Sequence, residues 1–329
     1  MADKLYDVII IGGGPAGLTA GLYAARARLN TLLIDNYGID SQVVSADIIE
    51  NYPGFVDGIK GVELLQKLKL QSVKFGLQML SDEVESVTET NQHFEIKTTT
   101  KSYSTCALII ATGGKPKQLG ISGENELKGR GVSYCATCDG ALFRNKTVAV
   151  VGGGDTAIEE ALFLTKFADK VFVIHRRDKL RATKILQERA LSNIKIAFVL
   201  NSKVVEIKGS GVGGIQKVES VVIENVQSAQ KSSINCAGVF IFAGFTPNTE
   251  FLKKREREGG EGGDIAVQMD DFGYIITDAE MKTSNPAIFA CGDCRAKPLR
   301  QVVTACSDGA IAAISCEKYI ESIRLKEKG

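Results

Sequence analysis

Short, mainly apolar runs alternate along the chain with amphipathic helical patterns. The runs are four to six residues long and end in glycine clusters or charged residues, at 6–11, 31–34, 106–110, 147–151 and 170–174. Such runs are typical of parallel strands that are buried on both faces. Helical spacing is found at 18–28, 62–75, 158–167 and 300–319. Strands that alternate with helices in this way predict an α/β fold with parallel sheets.

Other segments alternate apolar and polar residues, as half-buried strands do. Residues 77–88 and 93–99 have this pattern, which predicts a small antiparallel layer. Further strands are predicted at 203–207, 218–226 and 238–243. Residues 253–263 are charged and glycine-rich, and a solvated surface loop is expected there.

The composition indicates a soluble chain of about two domains. The 329 residues carry a net charge of +1, so no basic field attracts nucleic acid or acidic lipid. The eight cysteines are scattered rather than packed as in a small secreted scaffold, which favours a reducing compartment. No stretch approaches the ~18 apolar residues of a membrane helix, and the apolar run near the N-terminus is too short for a signal peptide. We therefore expect a cytoplasmic protein with neither membrane nor nucleic acid as a partner.

The first candidate site is a glycine motif between a predicted strand and a predicted helix. Gly12, Gly14 and Gly17 follow the spacing of a dinucleotide-binding fingerprint. The first glycine permits a tight turn, the second lets a pyrophosphate approach the backbone, and the third lets the helix pack on the strand. Asp35 ends the next strand 21 positions after Gly14, as a ribose-binding acid does. Since an acid there would repel a 2′-phosphate, the pattern predicts FAD or NAD rather than NADP, and geometry does not separate these two.

A second motif of the same kind begins at Gly152. It ends in alanine instead of the third glycine and also opens a helix. His175 stands 21 positions after Gly154, where the first site has its acid, and basic side chains follow it at Arg176, Arg177 and Arg181. Guanidinium groups bind phosphate bidentately, so this site predicts NADPH. A solvated basic helix start is the alternative interpretation.

Two thiols and a carboxylate precede the second motif, at Cys135, Cys138 and Asp139. A Cys-X-X-Cys pair can close into a disulfide, and thiol–disulfide exchange needs a thiolate and a nearby proton donor. The alternatives are a structural disulfide or half of a metal site, because Cys291 and Cys294 form a second such pair. The two pairs are 156 positions apart, however, whereas the ligand pairs of a zinc ribbon are separated by ~15–20 residues. The residues therefore favour redox chemistry over metal binding.

The C-terminal part adds a third motif. A predicted strand at 286–291 ends in Gly292-Asp293, and Arg300, Gln301 and Val302 open a long predicted helix. The N-terminus of such a helix can face an anionic or electron-rich ring system.

These motifs together resemble the low-molecular-weight thioredoxin reductases, the class II FAD-dependent pyridine nucleotide-disulfide oxidoreductases. The resemblance covers essentially the whole chain. It implies an α/β fold with two nested Rossmann-like domains of three-layer ββα type. Residues 1–116 and 246–329 would form an FAD domain, and residues 117–245 an inserted NADPH domain that carries the redox disulfide. It further implies an NADPH-dependent thioredoxin-disulfide reductase that is a homodimer through its FAD domains.

The resemblance also implies residue roles. Cys138 would face the flavin, Cys135 would attack the disulfide of the protein partner, and Asp139 would act as acid and base. Asp293 would bind the ribityl chain of FAD, and Gln301 and Val302 would meet its isoalloxazine ring. The other residues expected to bind FAD are Gly12, Gly14, Pro15, Ala16, Gly17, Asp35, Asn36, Gln42, Asn51, Thr112, Gly113, Gly292 and Arg300. Those expected to bind NADPH are Gly152, Gly154, Asp155, Thr156, His175, Arg176, Arg177 and Arg181.

Some positions depart from the family pattern. Residues 39–41 stand where the family usually has a glycine pair, and 141–143 replace aromatic residues that grip thioredoxin. Cys291 and Cys294 stand where small apolar residues are usual, and we interpret them as buried bystanders. The loop from residue 253 is longer than usual.

Three alternatives to thioredoxin reduction remain open at this point. The chain would be a reductase of another thioredoxin-like protein, a dithiol oxidase that uses oxygen, or a nucleotide-binding redox sensor with slow turnover. The arginines of the second site argue against the oxidase, which has no need of NADPH.

Overall fold

The computed structural model describes residues 5–36, 42–44, 48–49, 51–90, 93–211, 216–252, 265 and 267–326. The chain divides into two compact units, one made of 1–115 with 246–329 and the other of 116–245. The expected loops at 39–41 and 253–263 lie outside the described residues.

The helices and strands alternate through most of the chain. The first segment contains β1 (Leu5–Ile11), α1 (Pro15–Arg26), β2 (Thr31–Asp35), α2 (Gly61–Lys74), β3 (Gln78–Ser81), β4 (Val84–Glu89), β5 (Phe94–Thr98), β6 (Ser102–Ile110) and β7 (Gly114–Pro116). The inserted segment contains β8 (Val132–Ser133), α3 (Ala136–Asp139), β9 (Thr147–Val151), α4 (Asp155–Leu164), β10 (Lys170–Ile174), α5 (Lys184–Leu191), β11 (Ile196–Val199), β12 (Ser202–Ser210), β13 (Lys217–Asn225), β14 (Lys231–Asn235), β15 (Gly238–Ile241) and β16 (Phe245–Pro247). The last segment contains β17 (Ile288–Ala290) and α6 (Val302–Lys326).

The first unit is built on one sheet in the order β3-β2-β1-β6-β5-β4, with β17 also paired to β6. β1, β2, β3, β6 and β17 run parallel, whereas β4, β5 and β6 are antiparallel neighbours. One face of the parallel strands packs against α1 and α6, through residues such as Val8 and Ile109. The other face packs against apolar residues of β4 and β5, among them Phe94 and Ile96. This stacking is the three-layer ββα arrangement.

The second unit repeats this arrangement. Its main sheet has the order β11-β10-β9-β15-β8, and all of its pairings are parallel. One face is covered by α4, through residues such as Ile158 and Leu164. The antiparallel sheet β12-β13-β14 covers the other face, through residues such as Val204 and Val221. The predicted fold class is therefore confirmed.

The structure corrects some predicted elements. The alternating segment 77–88 is divided between β3, which pairs parallel with β2, and β4, which turns back beside β5. An alternating pattern shows that one face is buried, but it does not show which strand is the neighbour. The helix predicted at 158–167 is α4, which begins at Asp155 and ends at Leu164, and the helix predicted at 300–319 is α6, which begins at Val302 and ends at Lys326.

Candidate functional site

The first glycine loop joins β1 to α1 and has the shape of a phosphate cradle. Gly12 has φ +109°, and a Cβ there would lie 2.4 Å from the carbonyl oxygen of Ala111. A Cβ at Gly17 would lie 1.9 Å from the carbonyl oxygen of Gly12, so the helix can start against the strand only without a side chain. A Cβ at Gly14, in contrast, would meet nothing within 4 Å. The loop is therefore closed on the protein side and open where a ligand phosphate would lie.

Asp35, the last residue of β2, is hydrogen-bonded to this loop. The Gly13 amide donates a hydrogen bond of 2.8 Å to Asp35 Oδ1, and a Cβ at Gly13 would lie 2.7 Å from Oδ2. Burial raises the pKa of Asp35, and the Gly13 hydrogen bond and the charge of Lys69 oppose that rise. The adjacent Asn36 donates from its side-chain amide to Glu83. Asp35 therefore contacts the loop from the end of β2, the position of the acid in the fingerprint.

Other predicted flavin-binding residues come together from distant parts of the first unit. Asn51 Nδ2 donates to Gln301 Oε1 at 2.9 Å, and Gln42 donates to the carbonyl oxygen of Gly114. Thr112 Oγ1 donates to the carbonyl oxygen of Asn248 at 2.7 Å. The Asn248 amides in turn donate to the carbonyl oxygens of Thr112 and Gly113, both at 3.0 Å. One of these bonds ties the segment at Asn51 to the residue before α6, and the others tie the segment at 112–114 to Gln42 and Asn248.

Asp293 is the residue whose surroundings best fit a bound cofactor. It follows Gly292, whose φ of +75° favours glycine, in a short turn after β17. Asp293 Oδ1 is buried and has no hydrogen-bond partner in the described protein. Burial raises the pKa of this carboxyl, and the charges of Lys297 and Arg300 oppose the rise. A buried carboxylate oxygen without a partner is costly, so it fits a bound group that carries hydroxyls, as the ribityl chain of FAD does.

The second glycine loop has the same construction, with histidine in place of aspartate. A Cβ at Gly153 would lie 2.4 Å from His175 Nδ1, just as Gly13 packs on Asp35. His175 is 6% exposed, and its Nε2 has no hydrogen-bond partner among the residues that the structure describes. Burial lowers the pKa of His175, and the charges of Arg181 and Arg177 lower it further. The imidazole is therefore neutral near pH 7, and the positive charge at this site comes from the arginines.

Two backbone contacts hold the arginine segment against the second loop. The Arg181 amide donates to the carbonyl oxygen of Gly153 at 2.6 Å, and the Thr183 amide donates to Asp155 Oδ1, also at 2.6 Å. Asp155 and Thr156 begin α4, and Arg176, Arg177 and Arg181 are exposed. The site therefore presents exposed guanidinium groups beside the start of a helix, which suits a phosphate.

Cys135 and Cys138 are joined by a disulfide at the start of α3, with their Cα atoms 5.3 Å apart. Cys135 is the N-cap residue, and its Sγ accepts a 3.2 Å hydrogen bond from the Cys138 amide. Ser133 Oγ accepts from the Cys135 amide at 3.1 Å. On the other side, Glu160 of α4 accepts hydrogen bonds from the backbone amides of residues 136 and 137. Both thiol positions and Asp139 are half-buried, so the disulfide lies close to the surface of the second unit.

The second cysteine pair is different. Cys291 and Cys294 are buried free thiols, and the Cys294 thiol donates to the carbonyl oxygens of Cys291 and Ile110. Burial raises the pKa of Cys294 to about 11 and that of Cys291 well above its usual value. Thiols that stay protonated are poor nucleophiles and poor metal ligands. Within the described ranges, no three histidine, cysteine, aspartate or glutamate side chains form a metal site.

The double variant Cys291→Ala with Cys294→Ala should keep most of the activity that the resemblance implies, because burial keeps both thiols protonated near neutral pH. Turnover measured at saturating substrate checks this, and the flavin absorbance of the purified protein shows that FAD is still bound. A variant that binds FAD but does not turn over would require a second dithiol relay.

Three residues of these sites could not be identified from the sequence motifs. Asn248 and Glu160 act through contacts between segments far apart in the chain, and neither belongs to a motif. Asp308 accepts a hydrogen bond from the Gly292 amide at 3.1 Å, across 16 positions of sequence.

Comparisons with known proteins agree with this geometry. Residues 6–309 match the pyridine nucleotide-disulphide oxidoreductase family. The chain belongs to that family. The resemblance inferred from the sequence is therefore confirmed, and the protein is an oxidoreductase of a class that uses FAD and NADPH.

Three proteins similar to this chain in sequence or structure carry the name thioredoxin reductase. The thioredoxin reductase of Listeria monocytogenes is 45% identical over 98% of this chain and 96% of its own length. The crystal structure of thioredoxin reductase from Streptococcus pyogenes superposes with a TM-score of 0.89 at 45% identity, over 98% of this chain and 100% of that one. Thioredoxin reductase from Giardia duodenalis gives 0.88 at 36% identity, over 97% of this chain and 99% of that one. No helix in the described part of the chain is long and apolar enough to span a membrane.

Proposed function

We propose that this protein is a thioredoxin-disulfide reductase that passes electrons from NADPH through FAD and the Cys135–Cys138 disulfide to thioredoxin. One observation carries the proposal. The disulfide lies half-buried at the surface of a unit that also has an arginine-lined dinucleotide loop, in a chain 45% identical to a thioredoxin reductase. A dithiol oxidase has no need of the arginines. A nucleotide-binding redox sensor would have both the arginines and the disulfide, so the rate of turnover distinguishes it from a reductase.

FAD would be held by the first unit, the proposed FAD domain. Gly12, Pro15, Ala16 and Gly17 shape the loop, and the open space at Gly14 would receive the pyrophosphate. Asp35 would take the adenosine ribose, with Asn36 beside it. The partnerless oxygen of Asp293 would accept from a ribityl hydroxyl. The remaining side of the flavin would be lined by Gln42, Asn51, Thr112, Gly113, Arg300, Gln301 and Val302. When bound, the flavin accepts hydride from NADPH and delivers two electrons to a disulfide.

NADPH would be held by the second unit. Gly152 and Gly154 let the pyrophosphate approach the start of α4, near Asp155 and Thr156. The 2′-phosphate would be bound by Arg176, Arg177 and Arg181. NADH has no such phosphate. The neutral His175 fills the space under Gly153 and fixes the turn that positions them.

The disulfide would work as an exchange pair. Reduction of the Cys135–Cys138 bond takes two electrons and two protons and gives two thiols. The Cys135 thiolate would then attack the disulfide of thioredoxin, and Cys138 would resolve the mixed disulfide and restore the intramolecular bond. Asp139 follows Cys138 directly and would hold and return the proton. Hydrogen bonds from the Cys138 amide and Thr137 Oγ1 to the Cys135 sulfur favour its thiolate form.

We also propose a homodimer through the first unit and a cytoplasmic location. Large apolar side chains are exposed on the neighbouring helices α1 and α2, at Tyr23, Leu70 and Val73, and at Phe75 just after α2. An apolar surface of this kind suits a second copy. Six of the eight cysteines form no disulfide, as expected in a reducing compartment.

The decisive experiment is an NADPH-dependent disulfide reduction assay with the purified protein and a panel of thioredoxin-like proteins. We expect a yellow protein that bleaches with NADPH and reduces thioredoxin with rates far above those for the other panel members. Oxygen consumption with a dithiol, in the absence of NADPH, would instead support an oxidase. A protein that binds both cofactors but reduces no panel member would contradict the proposal.

A further inference from the structure

A cluster of buried charges lies directly behind the Gly292–Asp293 turn. Lys297 Nζ is 2.7 Å from Asp308 Oδ2, and Arg295 NH1 is 3.5 Å from the same oxygen. The side chains of Lys297 and Asp308 are only 4% and 10% exposed. Arg295 is held further by a 2.7 Å hydrogen bond from its Nε to Thr277 Oγ1. One carboxylate therefore serves two cations in an environment that excludes water.

Stability alone is a weak explanation for this cluster. Removing a lysine and an aspartate from water costs free energy that their attraction often fails to recover. Apolar residues of similar volume commonly stabilise such a position equally well or better. A buried ion pair is better explained when one of its members orients a functional group.

The functional group within reach is the turn that carries Asp293. Asp308 Oδ2 also accepts the amide hydrogen of Gly292, at 3.1 Å. Gly292 has a left-handed backbone, so this single hydrogen bond fixes a conformation that the turn needs. Lys297 is the charge that most opposes the burial-driven rise of the Asp293 pKa. The cluster thus influences both the orientation of the Asp293 side chain and the pKa of its carboxyl group.

The same turn is packed against the first phosphate loop. A Cβ at Gly292 would lie 2.9 Å from Ala16 Cβ, and a Cβ at Gly309 would lie 2.1 Å from the Ala16 carbonyl oxygen. Asp308 precedes Gly309 on α6, so α6, the Asp293 turn and the start of α1 meet at Ala16. A displacement of Asp308 would therefore disturb both the Asp293 turn and the phosphate loop at Ala16.

We infer that Asp308, with Lys297, is a positioning pair for the flavin-binding carboxylate Asp293. Asp308 holds the Gly292 amide so that Asp293 Oδ1 is aimed at the ribityl hydroxyls, and Lys297, whose Nζ is 2.7 Å from Asp308 Oδ2, holds Asp308 in that position. This inference rests on the proposed role of Asp293 in binding FAD.

The groups that face Asp293 determine how FAD binding should depend on pH. They come from three elements and are Cys294, Lys297 and Arg300 of its own segment, Asp308 of α6, and Tyr274. An ionised carboxylate is the better acceptor, so FAD affinity falls as pH drops through the pKa of Asp293. Without Lys297 that pKa rises, and the loss of affinity begins at a higher pH. Without the charge of Asp308 the pKa falls, and the loss begins at a lower pH.

The test measures the Kd of FAD by diluting the purified holoenzyme and following the fluorescence of released flavin. Asp308→Ala should raise the Kd at pH 8 at least about tenfold, the factor that a hydrogen bond to a charged group commonly supports. Asp308→Asn should raise it less, because its amide oxygen still accepts from Gly292. Lys297→Gln should move the pH midpoint of FAD release upward, and Asp308→Asn should move it downward.

The matched control is Asp7→Asn. Asp7 pairs with Arg324 of α6 at 2.6 Å, but it lies near the start of β1, away from the glycine loop at the strand's other end. This variant should lower the melting temperature and leave the Kd of FAD within about twofold of the wild type. A wild type that releases no flavin, because it binds none, would refute the proposed function itself. FAD-binding Asp308 and Lys297 variants with the wild-type Kd and pH midpoint would refute the positioning role. If the Asp308 variants do not fold, an unshifted midpoint in Lys297→Gln refutes it.

Discussion

Replacing Cys135 with serine should abolish NADPH-dependent reduction of thioredoxin, by at least about a thousandfold, while NADPH still bleaches the flavin absorbance. The loss follows because a serine hydroxyl does not attack a disulfide, and thiol–disulfide exchange requires a thiolate. Bleaching should persist because the cofactor sites proposed here do not include Cys135. Stopped-flow absorbance of the flavin and a thioredoxin assay on the same preparation separate the two effects.

Cys138→Ser should also abolish turnover, since no intramolecular disulfide can form after the first exchange. This variant retains Cys135, so it should trap thioredoxin as a stable mixed disulfide, visible on a non-reducing gel. Cys236→Ala is the matched control, because Cys236 is a buried free thiol in the same unit whose pKa is raised to about 12 by burial. Full activity in Cys135→Ser, or lost activity in the control, would contradict the assignment of the redox pair.

The two nucleotide loops could be predicted from sequence because their geometry is local. Each loop belongs to one β-α-β segment. That segment contains the spaced glycines, the helix that follows them, and an acid or base 21 positions after the second glycine. The structure places Asp35 and His175 under equivalent glycines, as that interval requires. Strands at 147–151 and 170–174 were likewise predicted with their observed bounds, because continuous apolar runs between glycine and charged residues have clear ends.

The assembly of the flavin-side cluster could not be predicted in this way. Thr112 bonds to Asn248 across 136 positions, and Asn51 bonds to Gln301 across 250. The fold determines these partners, and no periodicity in the chain records them. The partners of Asp308 are also determined by the fold. In the sequence, Asp308 is indistinguishable from an acidic residue on the surface of a helix. The direction of β3 was missed because alternation identifies a buried face and leaves the neighbouring strand undetermined.

The second large effect concerns cofactor choice. Replacing Arg176 and Arg181 with alanine should raise the KM for NADPH by about a hundredfold or more and leave the KM for NADH nearly unchanged. Each charge-assisted contact to the 2′-phosphate contributes roughly 1.5–3 kcal/mol, or about one to two factors of ten. NADH has no 2′-phosphate, so it loses none of these contacts. Initial rates of thioredoxin reduction at varied NADPH and NADH provide both values.

The control for this prediction is Arg144→Ala, which removes one exposed charge from the same unit. Arg144 precedes β9 and stacks near Phe167, at the end of the strand opposite to Gly152. Its loss should change neither KM by more than about twofold, because an exposed charge at that distance is largely screened by salt.

The protonation state of His175 also affects the expected cofactor preference. Its imidazole is kept neutral by burial and by the arginines, so the NADPH preference should not fall steeply between pH 6.5 and 8, as it would if a titrating histidine carried the phosphate contact. Equal losses with both coenzymes in the double variant would show that the arginines support the loop without distinguishing the phosphate.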